Sequence, residues 1–152
     1  SFSFILPGYN LRPLEMSGAI GSVQLKKWPE MLKSRKKNAS YIIKRIEEID
    51  FLDLQSEFGE SSWFGFGFII NSKKIERNSF IKYLEENGVE TRPIVAGNFT
   101  KNPVIKLLDH DIYMELPNSD IIDERGFFIG NDSINLEENI DYFINLCKNY
   151  KK

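Results

Sequence analysis

The sequence predicts an α+β domain in which helices cover one face of a small sheet, preceded by a helical arm. Three observations carry this. Residues 63–71 alternate, with Phe64, Phe66, Phe68 and Ile70 set against Trp63, Gly65, Gly67 and Ile69, the period of a strand with one bulky face. Residues 29–49 and 136–147 repeat apolar side chains at three-to-four spacing, the period of one-sided helices. Between 63 and 95 the order is strand, helix, strand with short joints, which folds a helix onto a sheet face.

Taken in chain order, residues 2–6 are extended and apolar, and Pro7-Gly8-Tyr9-Asn10 is a turn. Pro13 suits a first helical turn, so a helix is expected over 13–27. Its Leu14, Gly18, Gly21 and Leu25, with Met16, Ile20 and Val23 beside them, spread over more than one face. Glycine costs a helix about 1 kcal/mol against alanine, so Gly18 and Gly21 point to close packing against another backbone. Trp28-Pro29 is expected to interrupt the helix, because proline disfavours helical geometry in the residue before it. A second helix over 29–49 turns Leu32, Ala39, Ile43, Ile46 and Ile49 inward, opposite Lys33, Lys36, Lys37, Lys44 and Glu47.

Residues 51–54 form a short strand and 63–71 the strongest one. Asn78 or Ser79 caps a helix through Phe80, Ile81 and Leu84, which Asn87-Gly88 closes. A strand over 89–95 follows, then a polar loop at 97–102, short helices near 104–108 and 119–124, and a strand at 126–130. The last helix starts near Leu136 with Asn135 as cap and acids in its first turn; Leu136, Ile140, Phe143, Ile144 and Cys147 point inward.

Composition narrows the function classes. A formal charge of −2 over 152 residues gives no electrostatic reason to expect nucleic acid or a membrane surface. No apolar run approaches the roughly 20 residues a bilayer span needs, and no basic leader precedes a cleavage site, so a cytoplasmic location is expected. One histidine and one cysteine, far apart, supply no metal site. His110, between Asp109 and Asp111, reads as a solvated loop residue before it reads as a pH-sensitive pair or a general base, and Cys147 as a small apolar contact before a nucleophile. Gly65 and Gly67 lack the strand-to-helix setting of a phosphate loop; they leave a strand face flat, for another backbone or for a ligand lying over it.

Two polar clusters remain. Gly8-Tyr9-Asn10-Leu11-Arg12-Pro13-Leu14-Glu15 puts an amide, a guanidinium and a carboxylate at a helix start, where free N–H groups favour a phosphate or a partner's backbone. Arg92-Pro93-Ile94-Val95-Ala96-Gly97-Asn98-Phe99 carries a guanidinium, an amide and a ring from a strand end into a loop, a common address for binding residues.

At these clusters the chain resembles a known family. Pro7-Gly8-Tyr9-Asn10-Leu11-Arg12-Pro13-Leu14-Glu15-Met16-Ser17-Gly18-Ala19-Ile20-Gly21 and Gln24-Leu25-Lys26-Lys27 are similar to the segment after the cofactor-lysine region of the DegT-type sugar aminotransferases. Glu60-Ser61-Ser62-Trp63-Phe64-Gly65-Phe66, Glu90-Thr91-Arg92-Pro93-Ile94-Val95-Ala96-Gly97-Asn98-Phe99 and Phe128-Ile129-Gly130-Asn131 bring it nearest the GDP-sugar 3-dehydratase subgroup, which makes 3,6-dideoxysugars for lipopolysaccharide O-antigen.

The resemblance implies the C-terminal small domain of a fold-type I enzyme dependent on pyridoxal 5′-phosphate or its pyridoxamine form. That domain is α+β, with a small, mostly antiparallel sheet covered by helices, preceded by a long helical arm. Residues 1–28 are then the arm and helix continuing from a cofactor domain, and 29–152 the C-terminal small domain. It implies a homodimer formed through the arm, with Asn10 on the cofactor phosphate of the partner subunit and Arg12, Glu15, Arg92, Asn98 and Phe99 on a nucleotide sugar, GDP-linked in the first instance; glutamate is the amino donor.

Family transaminases hold the cofactor on a lysine, which the dehydratases replace by histidine. Neither that residue nor the rest of the cofactor domain is among these 152 residues, so the chain by itself is expected to hold no catalytic residue and to be inactive. The alternatives are a perosamine-type nucleotide-sugar 4-aminotransferase of the same family, and a non-catalytic module for nucleotide-sugar binding or dimerisation.

Overall fold

A computed structural model describes residues 14–150. The expected strand at 2–6 and the turn after it lie outside the described residues. The longest element is α1 (Glu15–Ile46), 32 residues or about 48 Å of helix. It runs through Pro29, so the expected break does not occur. Proline's own φ is already helical and its cost is one lost hydrogen bond plus a clash one turn back. The flanking Leu25, Lys26, Lys27, Glu30, Met31 and Leu32 are strong helix formers that carry the helix across. Residues 14–30 are exposed, and burial begins at Met31. In the second half the inward face is Asn38, Ala39, Ile42 and Ile46; Ile42 replaces the expected Ile43, which is exposed. Both isoleucines satisfy three-to-four spacing, so periodicity alone does not choose between them.

Four strands, β1 (Leu52–Leu54), β2 (Gly65–Ile70), β3 (Thr91–Arg92) and β4 (Gly126–Gly130), form one antiparallel sheet in the order β1-β2-β4-β3. On its inner face Phe66, Phe68, Ile70, Phe127 and Ile129 share one core with α1, α2 (Arg77–Glu86) and α4 (Glu137–Asn149). Much of the aromatic content is spent there: Phe68 packs on Phe127 at 5.4 Å and on Phe143 at 5.3 Å, and Phe80 meets Phe127 at 5.8 Å. The outer face, carrying Gly65, Gly67, Ile69 and Phe128 by alternation, is partly covered by α3 (Pro117–Arg125), which packs on β2 and β4.

Three local expectations change. Phe64 is exposed instead of extending the inner face, because Trp63 adopts a left-handed backbone (φ +50°) and enters the core itself, 2% exposed. Such a backbone costs a non-glycine residue about 1–3 kcal/mol and persists where its surroundings over-determine it.

The strand expected at 89–95 shrinks to two residues. Val89 is taken by the end of α2, where its N–H bonds the Leu84 carbonyl at 2.9 Å and the Gly88 N–H (φ +79°) bonds Glu85 at 3.0 Å, a Schellman closure. Pro93 then ends the strand, since it has no N–H for the ladder.

The cap of α2 is Glu76, not Asn78 or Ser79. Its carboxylate accepts from the Asn78 N–H at 2.9 Å and the Ser79 N–H at 2.6 Å, satisfying two helix-end donors with one side chain. At α4 the Asn135 side-chain oxygen Oδ1 accepts from the Glu137 N–H at 3.1 Å, one position outside the N-cap residue Leu136.

Candidate functional site

The loop after β3 is built on α3. The Gly97 N–H closes a turn on the Ile94 carbonyl at 3.0 Å, with Val95 in a left-handed backbone (φ +47°) and 88% exposed at its tip. The loop lies so close to α3 that a Cβ on Gly97 would sit 2.1 Å from Asp123 Oδ1 and 2.8 Å from the Asp123 Cα. Gly126, directly after α3, is crowded from two sides: a Cβ there would meet the Ile122 carbonyl of the helix's own last turn at 2.4 Å and the loop's Ile94 Cδ1 at 2.9 Å.

Asn98, buried, locks the next step: its amide donates to Asp120 at 2.8 Å while its carbonyl oxygen accepts from the Thr100 N–H at 3.0 Å and the Thr100 hydroxyl at 2.7 Å. Lys101 bonds Asp120 at 2.7 Å, and this bond, then that from Asn98, holds the Asp120 carboxyl below the usual carboxylate range.

Of the sequence-predicted site residues, Arg92 ends β3, and Asn98 and Phe99 follow on the loop; Arg92 lines a cleft in which neither of the other two takes part. Arg92 is exposed and paired with the equally exposed Glu90 at 3.1 Å. Phe99 is half-exposed, and Asn98 directs its polar atoms to Thr100 in the loop and to Asp120 on α3. Glu15 is in the first turn of α1, on the exposed half, with no hydrogen bond or ion pair to its side chain among the described residues. Asn10 and Arg12 lie outside the described residues.

Two clefts adjoin the loop. One, of about 450 Å³, is lined by Glu90, Arg92, Phe64, Phe128, Asn139 and Tyr142 among others. The second, of about 580 Å³ on the outer sheet face, is lined by Phe64, Phe128, Ile69, Ile94, Val95 and Gln55 among others. The glycines beneath it are explained without a ligand. A Cβ on Gly65 would lie 2.9 Å from the Phe128 ring, and one on Gly67 would lie 2.7 Å from Gln55 Oε1, which accepts the Gly67 N–H at 3.0 Å.

Sequence reasoning missed the buried amides behind these clefts. Asn131 donates to the Trp63 carbonyl at 2.8 Å and the Arg35 carbonyl at 3.2 Å, and accepts from Asn38 at 3.1 Å. The available signal was an asparagine directly after a strand (Asn131) and another on an inward helix face (Asn38), since a buried amide must find partners.

The remaining candidates carry no chemistry. His110 is exposed and its Nδ1 lies 2.8 Å from the Leu108 carbonyl. Burial pushes the Cys147 thiol up to about 12. Among the described residues no cluster of three His, Cys, Asp or Glu could hold a metal, and no helix is long and apolar enough to cross a membrane. Nor do these residues assemble a cradle for pyridoxal phosphate. The clefts are walled mainly by aromatic and apolar groups, and Asn10 is not among the described residues.

Residues 2–145 match the DegT/DnrJ/EryC1/StrS aminotransferase family. The chain belongs to that family. Within it, a GDP-4-keto-6-deoxy-D-mannose 3-dehydratase of Yersinia pseudotuberculosis is 49% identical over 150 residues, 97% of this chain and 38% of that protein. The enzyme of the same name from Escherichia coli O55:H7 is 47% identical over 150 residues, 97% of this chain and 39% of that protein. A crystal structure of GDP-4-keto-6-deoxymannose-3-dehydratase with a trapped PLP–glutamate geminal diamine superposes with a TM-score of 0.91 at 46% identity, covering 95% of this chain and 38% of that one. The chain thus spans under two-fifths of these family members, matching their C-terminal part, and its α+β fold is theirs.

Proposed function

We propose that the chain is the C-terminal domain of a nucleotide-sugar 3-dehydratase that works with pyridoxal or pyridoxamine phosphate and makes a 3-deoxy sugar for lipopolysaccharide O-antigen. The observation that carries this reading is the likeness to two 3-dehydratases at 47% and 49% identity over 97% of the chain. In this reading residues 1–28 are the arm, 29–152 the small domain, and the full protein is a homodimer joined through the arm, with Asn10 on the partner's cofactor phosphate.

When bound, the cofactor supplies an electron sink for loss of a hydroxyl next to a ketone, with glutamate as amino donor. This chain's residues bind and orient the sugar nucleotide. Arg92 can exchange its solvent-screened pairing with Glu90 for a phosphate, a more highly charged acceptor. Asn98 acts by pinning the loop that follows Arg92 and carries Phe99, and Arg12 and Glu15 approach the substrate from the arm.

The test is turnover by the full-length protein with pyridoxal phosphate, glutamate and GDP-4-keto-6-deoxymannose. The dehydratase reading expects net ammonia release and a 3-deoxy ketosugar. A product that keeps the amine identifies an aminotransferase instead, and absence of both turnover and cofactor absorbance identifies a non-catalytic module.

A further inference from the structure

The left-handed backbone at Trp63 has a definite consequence. A plain strand through 63–70 would send Phe64 inward with Phe66, Phe68 and Ile70. The kink instead sends the Trp63 indole into the core and leaves Phe64 72% exposed, its ring 6.4 Å from Phe128 and 6.0 Å from the Arg35 guanidinium. The kink is held deliberately tight. The Asn131 amide donates to the Trp63 carbonyl at 2.8 Å, and the Ser61 hydroxyl oxygen accepts the Trp63 N–H at 3.0 Å. Asn131 is itself buried and fixed by Asn38 at 3.1 Å. A buried amide network therefore maintains an outward aromatic ring where unkinked alternation would bury it.

Phe64 and Phe128 line both clefts, and one of these also holds Arg92, Glu90 and Asn139. We propose that Phe64, with Phe128 beside it, is the wall on which the purine base of the nucleotide sugar stacks, and that Asn131 is the residue that positions it. The proposal rests on the nucleotide-sugar reading above. A nucleoside diphosphate matches this set by charge and shape. Its planar base suits exposed aromatic rings, its phosphates suit the arginines, and its ring N–H groups suit a carboxylate such as Glu90.

The experiment is calorimetric binding of GDP to the full-length protein. Phe64→Ala is expected to weaken GDP about tenfold or more, the scale of a lost base–aromatic stack, with KM for the sugar nucleotide raised and kcat at saturation kept. Phe64→Trp restores binding. Asn131→Asp, which removes the donor to the Trp63 carbonyl at nearly constant size, weakens GDP in the same direction. Should that variant not fold, the Phe64→Ala and Phe64→Trp pair decides. GDP binding by Phe64→Ala within about twofold of the parent overturns the stacking wall, and so does a fall in melting temperature with binding unchanged, which marks Phe64 as a packing contact. Failure of the parent protein to bind GDP or turn over the sugar nucleotide counts against the functional reading itself, so the two failures are separable.

Discussion

Asn38 shows how much one buried amide can hold together. Its NH₂ group points at Asn131 Oδ1, the Asp132 carbonyl and the Ile134 carbonyl at 3.1, 3.1 and 2.8 Å, and its oxygen accepts the Leu136 N–H at 3.2 Å. These bonds tie α1 to the turn between β4 and α4. Asn38→Leu keeps the volume and strands those backbone groups away from water, so it is expected to destabilise the protein by about 2–4 kcal/mol in urea unfolding, well beyond a surface change. Cys147 makes the opposite kind of prediction. Burial holds its thiol protonated up to about 12, so a disulfide reagent at mildly alkaline pH should leave it unmodified in the folded protein and label it on denaturation. Cys147 was legible as a small inward group from helical spacing. The asparagines were not, because an amide's partners come from residues 68 to 98 positions away, and no local pattern encodes them.

At the scale of elements, periodicity located the helices and strands, and side-chain chemistry set where they stop. The α2 start is an instance. The carboxylate of Glu76, two to three residues before the donors it caps, does the work expected of Asn78 or Ser79. Bonds from the Asn78 N–H first, then Ser79, hold the Glu76 carboxyl below its ordinary 4.5. A group whose folded pKa is depressed adds stability above its unfolded pKa and loses it as pH falls through the folded value. The melting temperature of the parent should therefore exceed that of Glu76→Ala at neutral pH, with the gap closing as pH drops below about 4.5. Pro29 errs the other way, since a strong local breaker is overridden by good helix formers on both sides. Pro29→Ala restores an amide donor inside a helix that is already continuous, so it should raise thermal stability and leave helical circular dichroism nearly unchanged; a large gain in ellipticity would contradict a continuous helix. The loop after β3 was legible as a loop, but its clamp on α3 was not, because Gly97 is needed for a close approach to Asp123 and Gly126 for one to Ile94, contacts that only the fold creates.

For the whole molecule, the decisive asymmetry is along α1. Its second half closes the core, while its first half leaves Leu14, Met16, Ile20, Val23 and Leu25 at 66%, 75%, 64%, 51% and 72% exposure. Leu14, Gly18, Gly21, Leu25, Trp28 and Leu32 follow one another at alternating steps of four and three, the spacing of a helix-packing seam. Gly18 and Gly21 have nothing within 4 Å of where a Cβ would lie, so close packing within the described residues does not account for them. An apolar strip of this kind on an isolated chain normally finds a partner. The chain alone should therefore associate reversibly, giving sedimentation coefficients that rise with concentration. Ile20→Glu with Leu25→Glu, both at exposed positions outside the core, should return it to a monomer without changing its unfolding midpoint. In the full-length protein the same pair should weaken the proposed subunit contact more than it lowers stability, because it charges Leu25 in the seam and Ile20 beside it and leaves the Phe68, Phe80, Phe127 and Phe143 core untouched. A chain that stays monomeric at every concentration, with the strip protected from an apolar dye, would overturn the strip as an association surface.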